Sequence, residues 1–471
     1  MNKKEFDIII IGAGSAGLNV AGFMNQAGFK TLLIDRSDYN IGGDCLNFGC
    51  VPSKALIHLA RKVKAAGELE NFNLVFKNKI DIKKVTQYID KKQAVIKKHE
   101  NARNLRKKGI NVVLGKAEFV CKKTVRVGKE IYQGKKIVIA TGSRPRVPGI
   151  PGLKKVDYYT NETVFDIKYL PRKFLVVGGG PIGIELGQAF SDLGCQVTVI
   201  QAQNRILPKE DTDLSDILLK ELKRRGIKFF LNYRLSSFRN KNTALIKNKK
   251  NGSVLKVNFD AVLLAVGRSI DLGGLNLEKA AVETNEKGFL KINDKLTTTN
   301  KSIFVCGDAA GSLQFTHAAE LHAKIVINNF FSPFSKKLDY KNFSRVIYTT
   351  PEVAAFGKSK ARLKKEKVNF KVLTNDFKQD DRAIIEDYPS SYLKLFVAKN
   401  KILGGAMIAP NAGELVQELI LANSSGVKIS EIFDKIYPYP TATRVNKSTV
   451  TALFSQKLKK TWLRKLLRLL Y

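Results

Sequence analysis

Cys45 and Cys50 are separated by four residues in the segment GGDCLNFGCVPSKAL, and two thiols at that spacing can carry two-electron chemistry. A pair five positions apart at the start of a helix reaches the Cα separation of about 4.4–6.8 Å that a disulfide needs, provided the helix is distorted there. The alternative is two buried packing thiols. Gly42, Gly43 and Gly49 let the backbone approach a ligand closely, and Pro52 and Lys54 follow within one turn, which favours the redox reading. Cys121 (FVCKK) and Cys195 (LGCQVTV) fall in strand-like runs and are expected to pack. Five cysteines in all, an odd count, do not resemble a secreted disulfide framework and point to a reducing compartment.

Positioning such a pair needs a scaffold, and two segments repeat one pattern: an apolar run, a glycine cluster, then a helical stretch. The first is Phe6-DIIII-GAGSAG, with Gly12, Gly14 and Gly17 at the spacing G-x-G-x-x-G; the second is Lys173-FLVV-GGGPIG, with Gly178, Gly180 and Gly183 at the same spacing. Asp35 ends the next run (TLLID), where an acid accepts from a ribose hydroxyl. The corresponding run after the second cluster, QVTVIQAQNR, ends at Gln201, which supplies neither the acid that suits NAD nor the cation that suits NADP, although Arg205 follows. Two dinucleotide folds imply two dinucleotides. Between them KKIVIATGSRPRVPGIPG reads as a strand, a turn and a crossing near Pro148 to Gly152; a turn at Gly267 suggests the crossing back, and IFVCGDAAG puts Asp308 at the end of a buried strand. After about Tyr348, short strands and helices make a third, α+β unit.

Taken together, GAGSAG, GGDCLNFGCVPSK, ATGSRP, GGGPIGIE, AVGR, CGDAAG and DRAIIED make the chain resemble, over about residues 4–455, the flavin-dependent pyridine nucleotide-disulfide oxidoreductases: lipoamide dehydrogenase, glutathione reductase and mercuric reductase. The resemblance implies an α/β fold with two Rossmann-like dinucleotide-binding domains, for FAD and NAD(P), plus a C-terminal α+β dimerisation domain. Its division would be 1–149 and 273–345 for FAD, 150–272 for NAD(P), 346–455 for dimerisation, and 456–471 as a basic amphipathic tail. FAD would be held by Gly12, Gly14, Gly17, Asp35, Gly43, Lys54, Ala117, Thr141, Gly142 and Asp308, with Gln314, Thr316 and His317 near the flavin. NAD(P)H would rest on Gly178, Gly180 and Gly183, with Gln201 and Gly267 close by. Electrons would pass from nicotinamide through flavin to a Cys45–Cys50 disulfide and on to a small acceptor, in a homodimer. Cys50 would face the flavin, Cys45 would attack a disulfide or ligate a metal ion, and Lys54 would pair with Glu185 beside the ring. No resident metal is assigned, and His58, His99 and His322 read as structural helix positions.

The chain departs from the family at one place. Where lipoamide dehydrogenase and glutathione reductase carry H-P-x-x-x-E, this sequence has Tyr439 and Arg444, and a phenol with a pKa of about 10 is a poor general base near neutrality. Mercuric reductases also carry tyrosine there, but their additional C-terminal cysteine pair has no counterpart, since no cysteine follows Cys306. The reading is therefore a mercuric-reductase-like enzyme acting on a metal ion, small disulfide or quinone; dihydrolipoamide dehydrogenase and a non-catalytic redox-sensing flavoprotein are the alternatives.

Charge and length set the remaining limits. The 471 residues suggest about three domains. Lys+Arg 81 against Asp+Glu 42 gives +39, but the excess is diffuse and lacks aromatic-interleaved basic motifs, so no nucleic-acid partner is expected. The first apolar run stops at Ile11, too early for a cleavable signal, and no transmembrane run occurs, so a cytoplasmic enzyme is expected. In the tail QKLKKTWLRKLLRLLY, six basic residues lie mostly opposite an apolar arc containing Leu458 and Trp462, which suits either packing on the dimer or peripheral membrane contact through 457–471.

Overall fold

The unbroken apolar run Ile8 to Ile11, which ends strand Lys3–Ile11, follows from burial on both faces. Ile8 and Ile10 join one core with Leu33 and Val138, whereas Ile9 and Ile11 join another with Leu32, Ile34, Ile137 and Ile139. The computed structural model describes residues 3–74, 80–270, 272–388, 390–458 and 461–471, the side chains of 456–458 excepted. Its chain divides into two units: Met1–Val177 with Ser237–Ala244 and Asn258–Leu338, and Gly178–Ser236 with Leu245–Val257 and Asp339–Tyr471.

The first unit is built on a seven-stranded sheet. Lys3–Ile11 pairs in parallel with Thr31–Asp35 on one side and Glu130–Ile139 on the other; Asn111–Leu114 extends the first side and Ile303–Val305 pairs with Glu130–Ile139. Parallel neighbours need crossovers, and the helix Ser15–Gln26 supplies the first. Helix Thr316–Phe331 enters the core under the sheet through Ala319, Ala323 and Val326. Lys173–Val177 pairs in parallel with Ala261–Leu264, which also pairs with Tyr158–Tyr159.

In the second unit Gln196–Gln201 pairs in parallel with Lys228–Leu231. Helix Pro181–Asp192 begins with Pro181 at its first turn, where the missing N–H costs no hydrogen bond. A five-stranded antiparallel sheet, ordered Ser344–Ile347, Glu352–Gly357, Lys401–Ala409, Tyr392–Ala398, Lys371–Asn375, carries helices including Gln417–Ser425 and Arg444–Leu458, and shares one core with them through Leu393, Leu395, Met407, Leu419 and Val450. This is the α+β unit expected after Tyr348. Beyond it, helix Thr461–Leu470 has no buried residue, and the tail's residues 459 and 460 lie outside the described residues.

Candidate active site

Left-handed glycines set the cysteines in place. Gly42 and Gly43, at φ +92° and +63°, turn the chain into a short helix, Gly43–Asn47, that carries Cys45; the helix breaks at Phe48 and Gly49, and Cys50 opens the long helix Cys50–Glu68. This is the distortion the spacing requires. Both cysteines are free thiols, Cys45 half-buried and Cys50 exposed. The Cys45 thiol donates a hydrogen bond to Cys50, which holds the Cys50 pKa down to about 6; the Thr316 hydroxyl, 3.3 Å away, and the Lys54 ammonium act in the same direction. Donating that bond, together with burial, pushes Cys45 far up. The field at the start of a 19-residue helix favours the same charge on Cys50.

A polar network lies on the same unit. Arg268 donates to Asp44 at 2.9 Å and to the hydroxyl and carbonyl oxygens of Ser143 at 2.7 and 2.9 Å, and the Ser143 hydroxyl donates to Asp308. Burial raises the Asp308 pKa despite these partners. Asp308 stands on the turn Gly307–Ala310, and Gly307 N–H donates to Nδ1 of buried His322 at 3.1 Å. Burial lowers His322 to about 4, so its ring is neutral, with Nε2–H facing the Ser312 hydroxyl at 3.4 Å. Thr316 and His322 thus serve the site from one helix, whereas Gln314 and His317 are exposed at its start.

The first glycine cluster makes a close-packed floor. A Cβ on Gly12 (φ +110°) would lie 2.3 Å from the Ala140 carbonyl oxygen, and one on Gly43 would lie 2.6 Å from Cα of Gly14. Gly17 is buried in helix Ser15–Gln26. Asp35 accepts from Ala13 N–H and Arg36 N–H at 2.6 Å each, and burial raises its pKa. Ala117 is buried opposite Val127; Thr141, followed by Gly142, has its hydroxyl oxygen buried without a hydrogen-bond partner. The Gly267 carbonyl accepts from Arg146 N–H at 2.9 Å.

On the second unit Gly178 N–H donates to Ile200 O, Gly180 caps helix Pro181–Asp192, and Gly183 is buried within it. The Gln201 side chain turns back on this loop: its Oε1 accepts from Gly179 N–H and its Nε2 donates to Arg205 O, both at 3.2 Å. Arg205 donates to Thr212 and to Pro208 O, a structural role. Buried Glu185 accepts from Tyr348 N–H at 2.9 Å, while Lys54 belongs to the first unit. Tyr439 is exposed; its hydroxyl donates to Asp381 at 3.1 Å, which raises its pKa, and the Arg444 guanidinium lies 5.3 Å from its ring centre.

Cys195 is buried as expected, but Cys121 is exposed, because its strand ends there in the turn to Thr124, whose hydroxyl lowers the thiol pKa. His99 lies just beyond helix Ile82–Lys97 rather than in it, and His58 stacks on Tyr88. Thr316 was expected near the flavin, but its contact with Cys50 was not foreseen; nor was the Asp44–Arg268–Ser143 chain, although each of its residues sits inside a quoted motif.

Residues 6–323 match the pyridine nucleotide-disulphide oxidoreductase family, and residues 343–449 match that family's dimerisation domain. The chain belongs to this family. It is 33% identical to a dihydrolipoyl dehydrogenase from Buchnera aphidicola, covering 98% of this chain and all of the relative, and 30% identical to a mercuric reductase from Staphylococcus aureus, covering 93% and 80%. Among solved structures, the Cu(II) complex of the HOCl-induced flavoprotein disulfide reductase RclA from Escherichia coli superposes with a TM-score of 0.83 at 26% identity over 96% of this chain and all of that one. As a pyridine nucleotide-disulfide oxidoreductase the chain is an FAD-dependent enzyme that uses NAD(P)H, and its dimerisation domain supports homodimerisation. The first unit fits FAD: neither Gly12 nor Gly43 has room for a Cβ, which leaves a bare backbone floor, and the buried Thr141 hydroxyl has no hydrogen-bond partner within the protein. No described helix is long and apolar enough to cross a membrane.

Proposed function

We propose that this oxidoreductase delivers electrons from NAD(P)H, through the Cys45–Cys50 pair, to a small thiophilic oxidant, with a metal ion of the Cu(II) type as the favoured acceptor. The observation that carries the reading is the Tyr439 cluster. A hydroxyl already donating to Asp381, with its pKa raised, cannot take a proton from an attacking thiol, so the efficient dithiol–disulfide exchange of a proton shuttle is missing. Metal reduction does not need that shuttle. Bound FAD would supply a two-electron relay between NAD(P)H and the thiols, held by Gly12, Gly14, Gly43, Asp35, Thr141 and Asp308 on the first unit. Cys50, the stabilised thiolate, and Cys45, the proton-bearing partner, then act on the acceptor. As their sulfur–sulfur bond forms they give up two electrons, one to each of two Cu(II) ions, and the Cys45 proton leaves to solvent. The named relatives support both a metal and a sulfur acceptor: one is a mercuric reductase, and RclA was solved with Cu(II).

On this reading NAD(P)H rests at Gly178, Gly180 and Gly183, with Gln201 structural, Lys54 pairs with Glu185, and Tyr439 serves the partner's cysteines. The division at residues 149, 272, 345 and 455 is part of the same proposal, as is contact with a membrane surface, through the tail only. Dihydrolipoamide dehydrogenase is the second reading, favoured by the full-length match to the Buchnera relative. Steady-state turnover with Cu(II), Hg(II), lipoamide and glutathione disulfide, using NADH and NADPH in turn, separates them. Cu(I) formation is expected to exceed lipoamide turnover and to disappear in Cys45→Ser and Cys50→Ser. Lipoamide reduction matching that of a true lipoamide dehydrogenase would establish the second reading instead.

A further inference from the structure

Helix Thr461–Leu470 is amphipathic with its apolar side uncovered. At about 100° per residue, Trp462, Leu463, Leu466, Leu467, Leu469 and Leu470 fall within an arc of about 160°, and Arg464, Lys465 and Arg468 fall opposite. Segregation of this kind normally serves a core. Here no residue of the helix is buried: Trp462 is 62% exposed, Leu469 84% and Leu470 76%. The family's dimerisation match ends at residue 449, so the helix lies outside the region that match covers.

We propose that this helix docks in the plane of an anionic phospholipid surface, and thereby holds the enzyme at a membrane. Three observations fix the occupant. Ten residues rise about 15 Å, half of a hydrocarbon core of about 30 Å, so the helix can lie in the interface but cannot cross it. Its charged side chains are all basic and lie on the face opposite the apolar arc, complementary to phosphate headgroups. Trp462 stands at one end of that arc, where an indole with an apolar body and a polar N–H suits the headgroup boundary. The inference does not depend on which acceptor the enzyme reduces.

Trp462 is the only tryptophan of the chain, so its fluorescence reports this helix alone. The FAD-loaded full-length protein is mixed with vesicles of phosphatidylglycerol and phosphatidylcholine, or of phosphatidylcholine alone, and followed by sedimentation and by the emission maximum. Expected are co-sedimentation and a blue shift with the anionic vesicles, release by high salt, and a loss of partitioning greater than about tenfold for each of Leu466→Asp and Leu470→Asp, with FAD content and dimer mass unchanged. Absence of binding at low salt, or equal binding to phosphatidylcholine alone, overturns the proposal. Dissociation of the dimer by these variants also overturns it, and assigns the face to a second copy of the chain.

Discussion

Cys45 and Cys50 are identical side chains whose surroundings push them apart: one donates a hydrogen bond and is held protonated, the other accepts it, faces Thr316 and Lys54, and is held as thiolate. Because the Cys50 pKa lies near 6, against about 8.5 for a free cysteine, the thiolate should be present at neutral pH and be lost as pH falls through that value. In the two-electron-reduced, FAD-loaded protein, a long-wavelength thiolate absorption is expected that fades with a midpoint near pH 6, is absent in Cys50→Ser, and moves upward by up to about one unit in Thr316→Val. A midpoint near 8.5, unmoved by the threonine substitution, would remove the asymmetry on which the chemistry rests. The pair itself was legible, because its spacing and its glycines are local features. Thr316 was placed near the flavin by the resemblance, but its contact with Cys50 was not legible: it lies 266 positions away, and a threonine opening a helix carries no sign of which sulfur it will meet. Cys121 misled for the opposite reason, since a strand-like run does not say where the strand stops.

Strand, glycine turn and helix were readable at both clusters because period, φ and close approach are all written within about fifteen residues. What the pattern left open is how side chains satisfy the turns. Gln201 was placed as a candidate ribose reader but spends its amide on Gly179 and Arg205, and His322 was placed as a structural residue without its task, which is to hold the Gly307–Ala310 turn beneath Asp308. Two predictions follow from these turns. His322 has a folded-state pKa near 4, below its value of about 6.5 in an unfolded chain, so the unfolded state binds the extra proton in between. Its contribution is complete above about pH 6.5 and is lost progressively toward pH 4, on the order of 3 kcal/mol in all. Thermal unfolding of His322→Gln should therefore shift less between pH 7 and pH 4.5 than that of the wild type; identical shifts would mean that the imidazole is not the acid-sensitive group. Gly43→Ala places a methyl group 2.6 Å from Gly14 at a left-handed φ, and is expected to purify with most of its FAD lost while its far-ultraviolet circular dichroism is kept, whereas full flavin content would show that the floor can yield.

At the scale of the whole molecule, the charge of +39 and the lack of a described membrane-crossing helix constrain the chain less than its dimerisation domain does. The α+β unit after about Tyr348 was foreseen from short strand-like runs such as YLKLFVA beside helical ones, but the antiparallel order of its sheet was not. The Tyr439 cluster was only half foreseen. Sequence aligned Tyr439 and Arg444 with a missing dyad, but Asp381, 58 positions earlier, takes the phenolic hydrogen bond and enters only through the fold. An exposed aromatic fixed by an acid and covered by a guanidinium is a prepared surface feature, and in a two-fold dimer the same feature is presented twice. If Tyr439 completes the cysteine site of the partner, a heterodimer combining a Cys45→Ser subunit with a Tyr439→Ala subunit contains one site with both defects and one site with none. Co-expressed with different tags and purified through both, it is expected to retain about half of the wild-type activity, although each homodimer is impaired. If Tyr439 serves its own subunit, every site in the heterodimer carries one defect, and its activity should not exceed the mean of the two homodimers.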